Sequence, residues 1–550
     1  MDKHRFSEPE LNNLSKEALV KMYLQLADSF DVLKSQNEAV LKQMESLKED
    51  LAILKQSAFG RKTEKRSNID ENQLSIDLIK NLVLNEAESL TKEETPQEPD
   101  FEEVVVRRKK PKGKRSADLQ GIEVVVDPMI TIPKERLQEL FPGGYYQLPD
   151  EVYKDLEYVP AKVVAHEHHI AVYAGKHGEG IVRADRPERL LKNSILTTSL
   201  AAAVFNSKYV NAIPLYRLSE EFVRRDIIVS RQVMANWMIQ IAERYLGPVY
   251  RAMHRHLLQS TVIHCDETPF KLIRDGKECK NSKAYMWVYH ATPDYGVAPV
   301  FLYEYQPGRS SIYPKEFLKD FRGTLVTDGY RVYHKLADDS EGELVVAGCW
   351  AHAKRKFAEI VNAIGPGSTS YAPAEEAVKR ISTIYHVDNM AKGKSAQEIL
   401  MHRQTSVKPL IDSYFEWVDK YLMMPLDKGG KLYHALDYSR NQKEYLCRFL
   451  DDPVLPLDNN DAERSIKKFC VGKHNWHIID TPNGAKASAM LYSIAETAKA
   501  NGLKPYDYFK YLLDQILLHV EDDPATYIDK ILPWSQDLPQ ETKNIKMNNY

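Results

Sequence analysis

Residues Thr261–Pro269 read Thr-Val-Ile-His-Cys-Asp-Glu-Thr-Pro, and the interpretation of the whole chain starts from this stretch. Its β-favouring and apolar residues lead into an acidic residue, Asp266, and Pro269 closes the run soon afterwards. This pattern predicts a buried strand that presents Asp266 where a sheet meets a cavity.

Two more carboxylates extend this hypothesis. The strand-like run Gly323–Gly329 presents Asp328, and a helix start within Asp458–Lys468 presents Glu463. Hard cations such as Mg²⁺ prefer oxygen ligands, and a pair of them about 3.5–4 Å apart can cut a phosphodiester. Asp266, Asp328 and Glu463 are therefore the candidate catalytic and metal-binding residues.

Each carboxylate also has an ordinary explanation. Asp266 could cap a turn, Asp328 could be a turn residue before Gly329, and Glu463 could close a capping box that begins at Asn460. Taken together the three favour a site, because Glu463 is flanked by cations that suit a groove holding phosphates. These candidate DNA-binding cations are Arg464, Lys467, Lys468 and Lys473.

Composition bounds the class of protein. A chain of 550 residues should hold several domains. With 43% hydrophobic and 28% charged residues it is ordinary, and neither a membrane span nor an apolar signal core is visible. Five scattered cysteines fit a reducing compartment, so we expect a cytoplasmic protein without membrane association. The net charge of −3 does not indicate nucleic acid, whereas the local basic run Arg107–Arg115 could lie along DNA or be a solvated tether.

The N-terminal region carries a heptad pattern. Apolar residues recur every seven positions, and Asn37 occupies the middle of the companion seam. The first set comprises Leu19, Leu26, Leu33, Val40, Leu47 and Leu54. This pattern predicts a coiled coil in a homodimer or higher oligomer, and a buried Asn favours a parallel dimer. The alternative is an amphipathic helix packed on its own domain.

Residues 118–185 are interpreted as β-rich because short apolar runs such as Val163-Val164 and Ile170–Tyr173 lie between turn residues. Four histidines occur there, but their spacings fit no zinc pattern, and we expect exposed strand histidines instead. They are His166, His168, His169 and His177.

A helix-turn-helix pattern follows. Leu215–Arg224 and Ser230–Ile239 are two short amphipathic helices joined by five residues, and Ser230 is a good N-cap. The second helix of such a pair can enter a major groove and read base edges, although an ordinary helical hairpin has the same pattern. The candidate DNA-binding residues on it are Ser230, Arg231, Gln232 and Asn236.

From residue 256 the order of elements changes. Three strand-like runs, Thr261–Cys265, Ala284–His290 and Val297–Tyr305, predict antiparallel neighbours, and a helix and two more strands follow. This is the order of a ribonuclease-H-like α/β core, interrupted over 366–450 by a helical insertion. Cys349 and His352 could bind zinc, but two ligands are not a site, so zinc is not expected and these residues pack or orient their neighbours.

The fold class predicted is multidomain α+β. The predicted divisions are a coiled coil (1–60), a charged linker (61–117), a β-rich domain (118–190), a helix-turn-helix domain (191–255), the first part of a ribonuclease-H-like core (256–365), a helical insertion (366–450), the second part of the core (451–500) and a C-terminal helical unit (501–550).

Several motifs in one order resemble the large DDE transposases of the insertion-sequence 66 family. The motifs are His264–Thr268, Thr327–Tyr330, Cys349–Phe357, Asn460–Arg464, Gly472–Trp476, and upstream Lys208-Tyr209 with Ile213–Arg217. They span roughly residues 20–535, nearly the whole chain. One departure is clear: family members usually carry a cysteine-rich zinc-binding element before the helix-turn-helix, and this chain has no cysteine before Cys265.

The resemblance implies that Asp266, Asp328 and Glu463 form the DDE triad with Mg²⁺ or Mn²⁺, and that Cys349 and His352 form a structural Cys-x-x-His element. It also implies binding to terminal inverted repeats and target DNA, small accessory proteins of the element, and a bacterial, nucleoid-associated location. The alternatives are a non-catalytic DNA-binding protein, either decayed or co-opted, and a structure-specific nuclease on the same fold.

Overall fold

The computed structural model describes residues 15–59, 135–136, 140, 142–143, 162–174, 181–273, 282–364 and 370–544. These residues form a mixed α+β structure that is mostly helical. They fall into two compact units, one drawn from Met1–Phe101 and Leu196–Lys543 and the other from Glu102–Ile195 and Asn544–Tyr550.

The strands of the first unit form one six-stranded mixed sheet. They are β3 (Val262–Leu272), β4 (Ser282–Ala291), β5 (Val300–Gln306), β6 (Gly323–Val326), β7 (Leu344–Ala347) and β8 (Ile478–Ile479). The second unit contributes the hairpin of β1 (Val172–Ala174) and β2 (Ile181–Arg183).

The helices before the insertion are α1 (Lys16–Phe59), α2 (Thr198–Phe205), α3 (Leu215–Val223), α4 (Arg231–Ile241), α5 (Gly247–Leu257), α6 (Ile312–Phe317), α7 (Arg331–Asp338) and α8 (Trp350–Ala363). The insertion contains α9 (Tyr371–Asn389), α10 (Ala396–His402), α11 (Lys408–Leu422), α12 (Lys431–Asn441) and α13 (Lys443–Cys447). The chain continues with α14 (Asn460–Trp476), α15 (Pro482–Ala500), α16 (Pro505–Leu518) and α17 (Ile528–Ile531).

The main path of the sheet is β5-β4-β3-β6-β7. β3, β4 and β5 are antiparallel neighbours, while β6 and β7 run parallel to β3. The predicted order of three antiparallel strands, a helix and two further strands is confirmed. Helix α15 covers the outer strand, where Ser493 Oγ and Thr497 Oγ1 accept the N–H groups of Tyr303 and Phe301 at 2.8 and 3.0 Å. Edge N–H groups that would otherwise template aggregation are thereby satisfied.

The expectation that Pro269 ends the first strand is wrong. β3 continues through Pro269 to Leu272, so Asp266 lies inside the strand. β6 pairs with β3 only over Val262–His264, and β8 pairs with it only at Lys271 and Leu272. Between these ladders β3 has the character of an edge strand, where a proline is tolerated.

The two short helices around residue 230 are confirmed as α3 and α4. Ser230 is the N-cap of α4, and its side chain accepts the N–H of Val233 at 3.3 Å. Asp226 adopts φ of 60° in the connection, a left-handed conformation that Asp tolerates better than most residues. Helix α4 packs on α15 and thereby joins the sheet-covering layer.

Helix α1 packs against α8 and α12. Its heptad residues nevertheless remain open, since Leu26 is 69% exposed and Leu33 is 63% exposed. In the described part of the helix, the predicted seam from Leu26 to Val40 is therefore not buried against the core. Leu47 and Leu54 lie among side chains that the structure does not describe.

In the second unit, the β-rich interpretation is met only by the β1–β2 hairpin among the described residues. Val163-Val164 was expected in a strand but lies in an irregular segment. His166, His168 and His169 are exposed as expected, yet they also lie outside strands. The linker of 61–117, the basic run Arg107–Arg115 and His177 lie outside the described residues.

Across the described parts of the chain, no helix has both the length and the apolar character needed to cross a bilayer.

Candidate active site

The parallel register of β3 and β6 brings two of the predicted carboxylates together. His264 lies opposite Val326, so each aspartate lies two residues beyond the last paired position of its own strand. Neighbouring strands lie about 4.8 Å apart, which makes Asp266 and Asp328 neighbours at the point where β6 ends. Asp328 Oδ1 accepts the N–H of Tyr330 at 3.0 Å, and this turn directs the chain away from the sheet.

Helix α14 lies over the face of β3 that carries Asp266. Successive side chains of a strand alternate between faces, so His264, Asp266 and Thr268 share one face. At one end of α14, Asn459 Oδ1 lies 2.8 Å from His264 Nδ1. At the other end, Lys473 Nζ donates to Thr268 Oγ1 at 3.3 Å. Glu463 lies about one helical turn after Asn459 and is therefore nearer the His264 end of this contact.

The electrostatics of Asp266 report this crowding. Burial raises the pKa of Asp266 well above its usual range, and the nearby carboxylates of Glu267, Asp328 and Glu463 raise it further. Such mutual repulsion is what a cluster of carboxylates shows when no cation balances it. Asp266 is thus near enough to Asp328 and Glu463 for their charges to raise its pKa, whereas the ligand atoms of Glu463 group with Cys349 and His352.

Two residues of α8 hold Glu463. Arg355 Nη2 donates to Glu463 Oε2 at 2.6 Å, and His352 Nδ1 lies 3.4 Å from Glu463 Oε1. The capping-box alternative is wrong, because the N-cap of α14 is Asn459 and makes no side-chain capping bond. The carboxylate is directed toward α8 instead of toward its own helix start.

Cys349, His352 and Glu463 each offer one ligand atom, and these atoms lie within 4.8 Å of one another. The sequence did not predict that Glu463 lies beside Cys349 and His352. Arg355 Nη1 lies 3.1 Å from His352 Nε2, so Nε2 must accept and the proton must reside on Nδ1. A metal on Nδ1 would require that proton to leave while Arg355 still faces Nε2, which disfavours zinc here. Burial lowers the pKa of His352 to about 4, and the Arg355 charge acts in the same direction.

Cys349 instead organises the start of α14. Its Sγ accepts the N–H of Asn459 at 3.1 Å, and the Asn459 side chain donates to Cys265 O at 2.8 Å. The Cys-x-x-His element therefore fixes the beginning of α14 through Cys349 and approaches the carboxylate of Glu463 through His352. This agrees with the expectation that these residues orient their neighbours.

The donor set fits a hard divalent cation. Glu463 Oε1 is buried and has no hydrogen-bond partner among the described residues. Oε2 is engaged by Arg355, and Oε1 faces His352 Nδ1 at 3.4 Å, so Glu463 would have to turn Oε1 away from His352 to share a cation with Asp266 and Asp328. Carboxylate oxygens are the ligands that Mg²⁺ and Mn²⁺ prefer.

A second buried carboxylate, Glu267, lies on the opposite face of β3. Its side chain is 1% exposed, forms an ion pair with Arg309, and accepts a hydrogen bond from Tyr333 Oη at 2.8 Å. The Arg309 guanidinium also lies 3.6 Å from the ring centroid of Tyr330. This network ties the strand of Asp266 to the segment that follows Asp328.

The predicted DNA-binding residues divide into two groups. On α14, Lys468 and Arg464 are exposed, Arg464 pairs with Asp461, and Lys467 is half-buried. Lys473 donates to Pro269 O at 2.9 Å and so also anchors the helix to β3. On α4, the predicted residues Ser230, Arg231, Gln232 and Asn236 are all exposed.

Comparison with known proteins identifies the family of this chain. The family model described as "Transposase IS66 family" matches residues 193–487, more than half of the 550-residue chain. The "IS66 C-terminal element" matches residues 493–534, and "Transposase C of IS166 homeodomain" matches residues 46–124. The chain is thus a DNA-processing enzyme of the transposase class. It belongs to the IS66 family of transposases.

Similar proteins include three from Sinorhizobium fredii (strain NBRC 101917 / NGR234). Uncharacterized protein y4qI is 26% identical over 520 residues, which cover 92% of this chain and 90% of the relative. Uncharacterized protein y4jD is 26% identical over 89% of this chain and 94% of its own length. Uncharacterized protein y4hP is 27% identical over 76% and 75%.

Proposed function

We propose that this transposase uses Asp266, Asp328 and Glu463 as a DDE triad to cleave DNA at element ends and join the 3′-hydroxyls to target DNA. The observation that supports it most is the β3–β6 register, which makes Asp266 and Asp328 neighbours; the raised pKa of Asp266, to which Glu463 contributes, supports the third member. The path β5-β4-β3-β6-β7 further supports a ribonuclease-H-like core.

In this proposal the triad holds two Mg²⁺ or Mn²⁺ ions. Bound there, the ions would supply an activated water or 3′-hydroxyl and stabilisation of the leaving oxygen. The protein's own contribution is orientation: Arg355 holds one oxygen of Glu463, and the cations of α14 would hold the DNA backbone beside it. Cys349 and His352 remain structural.

DNA recognition in this proposal involves more than one element. Helix α4 would present Arg231, Gln232 and Asn236 to base edges in the terminal inverted repeats. The homeodomain-type match over residues 46–124 supports a further DNA-binding element there, although the sequence pattern predicts a linker over 61–117. The other domain divisions proposed here are those predicted from the sequence. Because its substrate would be DNA, we expect the enzyme at the bacterial nucleoid.

We also propose that α1 self-associates through its heptad seam. Leu33→Pro should break the seam, because proline costs about 3 kcal/mol inside a helix. Leu33→Glu should weaken association while keeping the helix, whereas Lys34→Glu changes charge one residue away from the seam. Light scattering should show a smaller mass for both Leu33 variants and an unchanged mass for Lys34→Glu. Equal masses in all four proteins would contradict self-association here.

The function is tested by an in vitro joining assay. Purified protein is mixed with duplexes that carry the element's candidate ends and with a plasmid target, with Mg²⁺ or with a chelator. We expect covalent joining of 3′ ends only with the cation. Binding of the ends without joining would indicate a non-catalytic DNA-binding protein, and cleavage governed by DNA structure instead of the end sequence would indicate a nuclease.

A further inference from the structure

The helical insertion reaches the segment that carries Asp328. Tyr438 of α12 donates its hydroxyl hydrogen to the carbonyl oxygen of Asp328 at 2.7 Å. Gly329, the next residue, has φ of 88° and approaches α12 so closely that an added Cβ would lie 2.8 Å from Gln442 Oε1 and 3.0 Å from Tyr438 Oη. The turn after β6 is therefore built against the insertion.

The insertion also reaches the turn after β7. The Gly348 N–H donates to Tyr445 O at 2.9 Å, and Trp350 Nε1 donates to Leu446 O at 2.8 Å. These contacts fix the start of α8, the helix that holds Glu463 through Arg355. The ends of two adjacent parallel strands thus depend on one face of the insertion.

A third contact involves the helix of Glu463 directly. Tyr385 of α9 donates its hydroxyl hydrogen to Asp458 Oδ2 at 3.0 Å, while Asp458 Oδ1 accepts the N–H of Asn460 at 3.1 Å. Asp458 immediately precedes the N-cap of α14. Tyr385 therefore holds the entry of the helix from the insertion side, four to five residues before Glu463.

We propose that the helical insertion positions the carboxylate site, with Tyr438 and Tyr385 as positioning residues for Asp328 and for the helix of Glu463. The inference rests on the proposed function of the triad. Neither tyrosine needs to touch DNA or metal. Each hydroxyl instead limits the movement of a main-chain segment whose carboxylate must lie close to the other two.

The insertion supplies a matched control. Tyr414 of α11 is buried, and its hydroxyl lies 2.8 Å from Ser439 Oγ, a contact within the insertion alone. Tyr414→Phe therefore removes the same group from the same subdomain without touching either carboxylate segment. Its cost in stability should be similar to that of Tyr438→Phe, because each substitution removes one tyrosine hydroxyl hydrogen bond.

The test measures Mn²⁺ binding to the full-length chain without DNA, using the electron paramagnetic resonance signal of the free ion. Thermal unfolding of each variant is measured in parallel. We expect the double variant Tyr438→Phe/Tyr385→Phe to bind Mn²⁺ about tenfold more weakly than wild type, as outer-shell substitutions typically do. Tyr414→Phe should bind as wild type does, even if its Tm is lower. In the joining assay the double variant should need correspondingly more Mg²⁺.

Asp266→Asn is the reference for binding at the triad. If Asp266→Asn loses Mn²⁺ binding and the double variant binds like Tyr414→Phe, the positioning role is overturned and the proposed function stands. If wild type and Asp266→Asn bind Mn²⁺ equally, both are overturned.

Discussion

Asp266→Asn should abolish strand joining while leaving binding to element ends intact. The substitution keeps the shape of the side chain but removes its negative charge, and with it one of the three proposed carboxylate ligands. Loss of the central ligand should lower the joining rate at least about a thousandfold, or about 4 kcal/mol of transition-state stabilisation. The rate is measured with saturating ends and Mg²⁺, and end binding by gel shift.

The same variant should lose activity without losing stability. Burial and neighbouring carboxylates raise the folded-state pKa of Asp266 above the value near 3.8 of an unperturbed aspartate. Ionising it therefore costs folding free energy, a cost that is absent at low pH and grows as the pH rises above that value. Near neutral pH and without metal, Asp266→Asn should have an equal or higher Tm than wild type. Added Mn²⁺ should raise the Tm of wild type but not that of Asp266→Asn.

Asp320→Asn is the control for this experiment, since Asp320 is an exposed aspartate on the same unit. It should leave the joining rate, the Tm and the response to Mn²⁺ unchanged. Joining by Asp266→Asn at the wild-type rate would remove this residue from the catalytic assignment, and a large loss of Tm would show that its role is structural.

Local patterns predicted the elements that carry the carboxylates because each apolar run is continuous in sequence. The strand of Asp266, the strand before Asp328 and the helix of Glu463 could each be read from about ten residues. That the three belong together followed from the order of elements and the family resemblance. The proximity of the two aspartates depends on the strand register, which pairs His264 with Val326 across more than sixty residues.

Contacts between distant segments could not be predicted in this way. Arg355 and Glu463 are 108 residues apart, and Tyr438 and Asp328 are 110 residues apart. No local pattern distinguishes Arg355 from its basic neighbours Lys354 and Lys356, because the choice is made by how α8 faces α14. The end of β3 could not be predicted for a related reason. Pro269 is tolerated inside the strand because β6 stops pairing at His264, and that depends on tertiary structure.

Gly472→Ala should be strongly destabilising, although it lies outside the carboxylates. Gly472 lies in α14, and an added Cβ would lie 2.1 Å from Tyr492 Oη and 3.0 Å from Trp476 Nε1. Tyr492 is 1% exposed, and its ring is held by Tyr209 and Phe469 at centroid distances of 4.9 and 5.5 Å. Because Tyr492 cannot yield, α14 must move away from α15 and take Glu463 with it.

Overpacking of this kind costs about 1–3 kcal/mol, so Gly472→Ala should lower the Tm and the joining rate together. The obstacle is the single oxygen of the Tyr492 hydroxyl, which Tyr492→Phe removes while keeping the ring, so Tyr492→Phe alone should cost little stability. The double variant Gly472→Ala/Tyr492→Phe should then recover about 1–2 kcal/mol, a coupling measured by a double-mutant cycle in urea. Gly484→Ala, near the start of α15, meets nothing closer than Thr481 Oγ1 at 3.3 Å and should be tolerated. Additive effects of the two substitutions would show that close packing of α14 on Tyr492 does not explain the Gly472–Trp476 motif.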